Sequence, residues 1–214
     1  MNKVQRDEIL NLGSYEEIRE RFRAAVIAEK QHRRFQISDE MSIVFENHST
    51  VLFQIQEMLR TERITREPAI QHELDTYNDL IPGAGELSAT LFVEIADRDT
   101  RDRRLVELAG LENTFALEVD GELEPARNET RGVLADRTTA VHYLKFPLST
   151  TMAARLAAAA RSPGSSAAEL GGQSSASPVV KLVVRHPRLN LAAPLPPAVV
   201  RAIGGDLLDG SAST

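Results

Sequence analysis

The chain has no cysteine and no tryptophan in 214 residues, only 3 Tyr and 7 Phe, and no long apolar run. Each absence removes a class of function. Without Cys there is no disulfide framework, no thiolate nucleophile, no structural zinc site of the Cys type and no iron–sulfur cluster of the Cys type. No window approaches the roughly 18 apolar residues of a membrane span. The amino terminus, Met-Asn-Lys-Val-Gln-Arg-Asp-Glu, is charged where a signal peptide would be apolar, so no membrane partner is expected and the expected location is cytoplasmic. Positive charge is also short: 25 Lys and Arg against 31 Asp and Glu leave a formal net charge of -6. A surface that binds phosphate backbones needs the opposite excess, so no nucleic acid partner is expected. Missing too are Gly-x-Ser-x-Gly, a Walker-type phosphate loop, Gly-x-Gly-x-x-Gly and His-x-x-x-His, the spacings that hydrolases, nucleotide binders and helical metal sites require.

What is present is an ordinary globular composition, 42% hydrophobic and 26% charged, enough for one aliphatic core and one domain spanning 1-214. Ser14 followed by Glu17 reads as a capping box for a helix from Tyr15 to Gln31, whose apolar positions Tyr15, Ile18, Phe22, Ala25 and Val26 fall at helical spacing. Lys30 to Arg34 closes it, where positive charge suits the carbonyl end of a helix. Phe35–Ile37 and Met41–Glu46 read as strands joined by Ser38-Asp39-Glu40. A helix capped by Asn47, His48 or Ser49 runs to Arg63, and a second, started by Thr65 and Pro68, runs to Leu80, giving a helical hairpin.

Downstream, Glu86–Ile95 alternates Leu87, Ala89, Leu91, Val93 and Ile95 on one face and is a strand, while Arg98–Ala109 is a charged helix closed by Gly110. Asp120-Gly121 supplies the positive dihedral angles of a two-residue hairpin turn between Thr114–Val119 and Glu122–Pro125. Asn128–Arg137 is polar and irregular, Thr139–Pro147 is a strand, and Ser149 or Thr150 caps an alanine-rich helix to Arg161. Residues 162-177 are Ser, Gly and Ala, which cannot offset the entropy of their own ordering, and are expected as a flexible loop insertion. A strand at Pro178–Arg185 and a helix at Pro196–Leu208 then dock back onto the main sheet, and 210-214 is a frayed tail. The sum is an α+β fold, a single domain with a largely antiparallel sheet, a helical hairpin and flanking helices.

The stretch richest in chemistry is Phe45–Arg63. On a helical wheel Val51, Leu52, Ile55, Met58 and Leu59 share a core face, Gln54 and Gln56 flank it, and Glu57 points away with Phe53 and Arg60. Side-chain amides beside a core need partners for both their donors and their acceptor, so they clamp backbone, hold a ligand or meet another chain. Asn47, His48, Gln54, Gln56, Glu57, Arg60 and Glu73 are therefore the candidate ligand- or partner-binding residues. A carboxylate and imidazole site from His48, Glu57 and Glu73, with Glu46 and His72 nearby, would suit a metal-dependent enzyme. Adjacent His72 and Glu73 point about 100° apart on a helix, which argues against both ligating one ion. The plain reading is that Asn47 and His48 cap a helix, Glu57 pairs with Arg60 or Arg63, and the amides bond backbone. A third reading is a small anionic ligand held by Arg33, Arg34 and Arg60. His142 and His186, lone on their strands, read as structural.

Four segments resemble the bacterial family catalogued as domain of unknown function 3501: Phe45–Arg60, Glu73–Asn78, Pro82–Ile95 and Ala140–Leu148. The resemblance covers nearly the whole chain except 162-177, which looks like an insertion. It implies a redox or oxidative-stress context, with rubrerythrin-like or iron–sulfur oxidoreductase proteins as partners. A chain without Cys would serve there as an accessory or interaction protein.

Overall fold

Nine strands and six helices follow one another along the residues described by the structure, a computed structural model covering 1–128, 136–161 and 178–211. In chain order they are α1 (Leu12–Gln31), β1 (Arg34–Ser38), β2 (Met41–Phe45), α2 (His48–Thr61), α3 (Glu67–Asn78), β3 (Glu86–Val93), α4 (Arg98–Glu107), β4 (Phe115–Val119), β5 (Glu122–Pro125), β6 (Arg127–Asn128), β7 (Val141–Pro147), α5 (Thr150–Arg161), β8 (Val180–His186), β9 (Leu189–Pro194) and α6 (Pro197–Ser211). The expected insertion, 162-177, and most of the polar stretch after Asn128 lie outside the described residues.

The fold is α+β and every strand pairing is antiparallel, but the strands form two sheets where one was expected. The first has the order β1-β2-β3-β7-β6 and the second β5-β4-β8-β9. The segment after residue 177 therefore does not extend the sheet of β3. It builds half of a second sheet, with β8 paired to β4 from Phe115↔Val184 to Val119↔Val180. Strand β9, which the sequence reading missed, pairs with β8 and forms the sheet's edge.

The main core lies between the sheets. Leu87, Ala89, Leu91 and Val93 of β3 meet Phe115, Leu117 and Val119 of β4 and Leu182 and Val184 of β8, together with Met152 and Leu156 of α5 and Val199, Val200 and Ile203 of α6. The other face of the first sheet carries a second cluster, in which Val51, Ile55 and Leu59 of α2 join Ile70 and Leu74 of α3 and residues Val4 and Ile9 of the amino-terminal segment. Because β2 and β3 are covered on both sides, Ser42, Ser88 and Thr90 are buried as deeply as their apolar neighbours. Alternation named the inner face correctly and left the burial of the polar face unread.

Local signals held at the hairpin: Asp120 (φ 49°) and Gly121 (φ 87°) both adopt the positive angles that a primed turn requires. They failed at the start of α1. Its cap is Asn11, whose side chain accepts from the Ser14 N–H, and Gly13 and Ser14 lie inside the first turn. First-turn amides lack helical partners anyway, so a glycine there breaks nothing. At the other end, α6 runs two residues into the stretch expected as a frayed tail, and 212–214 lie outside the described residues.

Candidate functional site

Strand β2 ends where Glu46 and Asn47 hand the chain to α2, and a buried polar network starts there. Asn47 caps α2 by accepting from the Thr50 N–H at 2.9 Å, while its own N–H donates to Thr50 Oγ1 at 2.9 Å. The Glu46 carboxyl, 4% exposed, accepts from the hydroxyls of Thr50 (2.5 Å) and of Thr90 on β3 (2.6 Å). Asn47 Nδ2 donates to Glu29 Oε1 at 2.9 Å. Glu29 also receives Arg33 Nε at 2.5 Å, and Arg33 continues to Asp206 of α6. A chain of polar contacts thus ties α6, α1, the α2 cap and β3 together.

The two flanking glutamines of α2 have different duties. Gln56, 1% exposed, accepts the Leu10 N–H at 2.7 Å and donates to the Leu10 carbonyl at 3.3 Å. Gln54 bonds the Tyr77 phenol of α3, whose proton is held up by burial and by the neighbouring Tyr143 and Glu73. Glu73 is half-buried beside it. His48 does not meet Glu57 or Glu73; its ring nitrogens face Glu8 Oε2 at 2.8 Å and the Asn2 carbonyl at 3.2 Å.

Glu57 is held by α1. Tyr15 Oη donates to its Oε1 at 2.8 Å, and Arg19 grips both oxygens, Nε to Oε1 at 2.8 Å and Nη2 to Oε2 at 2.9 Å. Arg60 stands 3.4 Å away. The Arg19 bonds pull the Glu57 carboxyl down to about 2, against the opposing effect of burial, with Tyr15 adding to the pull. Burial and the Glu57 contact push the Tyr15 phenol well above its usual range. The expected pairing with Arg60 is present, and the dominant partner, Arg19, comes from a helix the local sequence does not identify.

Arg33, Arg34 and Arg60, the three guanidiniums of the anion reading, are each engaged by different carboxylates: Glu29 and Asp206, Glu94, and Glu57. Among the described residues no group of three His, Asp or Glu side chains is arranged to hold a metal ion. An open cleft of about 500 Å³ lies between the Gly83–Glu86 turn, Pro147-Leu148 and the first turns of α5, and takes no residue from Phe45–Arg63. A second buried polar group lies at the start of β7, where Thr138 Oγ1, just before the strand, donates to Glu112 Oε2 at 3.0 Å and lies 3.1 Å from Nε2 of His142 on the strand. Burial holds His142 below its ordinary value, with Glu112 offsetting part of the shift. His186 bonds the Ala109 carbonyl and the Arg188 N–H.

Sequence reasoning missed Asn78, the last residue of α3. Its side chain accepts the Val4 N–H at 2.8 Å and donates to the Val4 carbonyl at 3.0 Å, the arrangement Gln56 makes with Leu10. Its place inside Glu73–Asn78, a segment already singled out, was the available signal.

No helix among the described residues is long and apolar enough to cross a membrane. Among curated proteins none matches the chain. A crystal structure of a novel protein of unknown function from Burkholderia pseudomallei K96243 is similar at 32% identity, with a TM-score of 0.83, over 96% of this chain and 100% of that one. The model of the family described as Protein of unknown function (DUF3501) matches residues 3–163, and the chain belongs to that family.

Proposed function

We propose that the protein is a cytoplasmic accessory or interaction protein of a redox or oxidative-stress system, acting on a rubrerythrin-like or iron–sulfur oxidoreductase partner. The observation that carries the non-catalytic part is that contacts within the chain take up four of the candidate residues. Asn47 caps α2, Gln56 clamps the Leu10 backbone, Glu57 is held by Arg19 and Tyr15, and His48 is turned to Glu8 and Asn2. A general base or nucleophile must reach a substrate atom, and a carboxylate held near 2 by a guanidinium is a poor proton acceptor at neutral pH. The redox setting is supported by the family resemblance alone.

Gentle purification of the tagged full chain from its native host, followed by mass spectrometry and metal analysis of whatever co-elutes, tests this reading. A stoichiometric partner carrying iron is the expected result. A chain that elutes alone, or only with proteins lacking a redox centre, overturns it.

A further inference from the structure

Each sheet ends in two edge strands, and an edge leaves a row of main-chain N–H and C=O groups open to another strand. Three of the four edges carry features that discourage such pairing. Strand β1 has Arg34 and a bulge between Gln36 and Ser38, β5 has Glu122 and Glu124 and ends at Pro125, and β6 is two residues beginning with Arg127. Strand β9, Leu-Asn-Leu-Ala-Ala-Pro, is the exception: six residues in unbroken register with β8, none charged, and a proline only at the end. The Leu195 N–H donates to the Val180 carbonyl at 2.8 Å, which sets the ladder so that Leu189, Leu191 and Ala193 bond β8. Asn190 and Ala192 therefore turn both of their main-chain groups outward.

The two faces of this edge differ. On the core face Val180, Leu182 and Val184 of β8 are at most 2% exposed, whereas Leu189, Leu191 and Ala193 beside them are only half-buried, so the apolar layer stops one strand short. On the opposite face Arg185 stands in register with Asn190, and Arg188 follows in the turn. Both arginines are exposed, and neither has a carboxylate partner among the described residues. In a chain of net charge -6 this is a local excess of positive charge.

We infer that β9 is a docking edge, which takes an extended segment of a partner protein, apolar at alternate residues and acidic at those between, as the fifth strand of the second sheet. The outward groups of Asn190 and Ala192 supply the main-chain bonds, and the alternation supplies the selectivity. Apolar side chains of the incoming strand continue the layer beyond Leu189, Leu191 and Ala193, and acidic ones share the other face with Arg185 and Arg188. Arg185 lies two strand spacings, about 10 Å, from that strand, within the joint reach of an Arg and a Glu side chain. A second copy is the poorer occupant. From Pro187 to Pro197 the chain has no Asp or Glu, so in no register of β9 on itself does either arginine meet a carboxylate from the paired strand. This inference rests on the reading of the protein as an interaction protein, and it names the surface and the partner's chemistry.

A fluorescent peptide with the core Val-Glu-Val-Glu-Val-Glu-Val between Gly-Ser flanks, titrated into the full chain, tests it against a control peptide with Lys in place of Glu. Saturable binding of the acidic peptide is expected, at least about tenfold tighter than that of the basic one and weaker at high salt. In the complex the Asn190 and Ala192 amides are expected to gain protection from hydrogen exchange. Ala192→Pro removes one outward N–H at a place where an edge strand tolerates proline, and is expected to abolish binding with little change in melting temperature. Arg185→Glu with Arg188→Glu is expected to reverse the preference between the two peptides, and it decides the matter if the proline variant does not fold. No saturable binding, equal binding of both peptides, or protection only at residues away from β9 overturns the proposal. So does a dimer of the unliganded chain that Ala192→Pro converts to a monomer, which makes a second copy the occupant. Purification from the native host separates this inference from the redox reading. An iron-carrying partner that still co-elutes with both variants keeps the redox reading and overturns the docking edge; peptide binding with no such partner does the reverse.

Discussion

Arg33 Nη1 and Nη2 meet the two carboxylate oxygens of Asp206 at 2.5 and 2.8 Å, closing a contact between residues 173 positions apart. The Arg33 side chain is buried and that of Asp206 nearly so, and the pair fixes α6 to the end of α1 and, through Glu29 and Asn47, to the cap of α2. Removing one partner of a buried pair strands the other. Asp206→Ala is expected to cost about 3 kcal/mol, towards the lower end for such pairs because Glu29 still faces Arg33. Replacing both, as Arg33→Met with Asp206→Leu, is expected to recover most of that loss. Urea unfolding of the three variants checks it, and a double variant no more stable than Asp206→Ala would refute the account.

The same helix α6 offers a sharper contrast at two adjacent glycines. A Cβ at Gly204 would lie 2.2 Å from the Leu156 carbonyl oxygen of α5, closer than any real contact, whereas a Cβ at Gly205 meets nothing within 4 Å. Gly204→Ala must push α5 and α6 apart and is expected to destabilise by about 1–3 kcal/mol despite alanine's better helix propensity. Gly205→Ala has only the propensity gain and is expected to stabilise by up to about 1 kcal/mol. Thermal unfolding of the two single variants should show shifts of opposite sign.

These two cases also show what the sequence could reveal. Where a signal is local the reading succeeded: the Asp120-Gly121 turn, the β3 alternation and a cap among Asn47, His48 and Ser49, which falls at Asn47, need only neighbouring residues. At Asn11 and Ser14 two cap patterns overlap within four residues, and the chain uses the first. The division into two sheets was illegible because alternation gives a strand its faces but not its partner; β8 pairs with β4, more than sixty residues away, with 162-177 between β8 and α5. For the site, the helical wheel placed Gln56 beside the core correctly. Its partner is the Leu10 backbone, which has no side-chain signature, and the Arg19 that holds Glu57 comes from another helix, 38 residues away.

Two titrating groups predict how stability depends on pH. Glu57 is lowered from 4.5 to about 2 in the fold. Its contribution is therefore complete above about pH 4.5, where the unfolded chain is also ionised, and is lost as pH falls towards 2. Glu57→Gln is expected to remove that acid slope and to cost about 1.5–3 kcal/mol at neutral pH, the range for hydrogen bonds to charged groups. His142 is lowered below 6.5 by burial. The unfolded chain binds that proton first, so stability contributed by the neutral ring is present above pH 6.5 and declines below it. His142→Gln is expected to flatten the curve just below pH 6.5 and leave the Glu57 limb untouched. Denaturation midpoints measured from pH 2 to 8 on the three proteins separate the two windows.

The buried carboxyl of Glu46 gives the last test, because its two hydroxyl partners differ in what else they do. Thr90 donates to Glu46 Oε1 and has no other hydroxyl contact among the described bonds, while Thr50 donates to Oε2 and also receives the Asn47 N–H in the α2 cap. Valine keeps the branched shape of threonine and suits a strand as well, so Thr90→Val deletes the donor with little change in packing or backbone preference. A buried acceptor left without its partner costs about 1–3 kcal/mol, which is the expected loss for Thr90→Val, and Thr90→Ser, which keeps the hydroxyl, should lose less. Thr50→Val removes a Glu46 donor and half of the capping box together, so it should exceed Thr90→Val by about 1 kcal/mol. Urea midpoints for the three variants give the ranking. If Thr90→Val is as stable as the parent chain, Glu46 does not depend on that hydroxyl, and the polar link between β3 and the start of α2 is not what holds the two together.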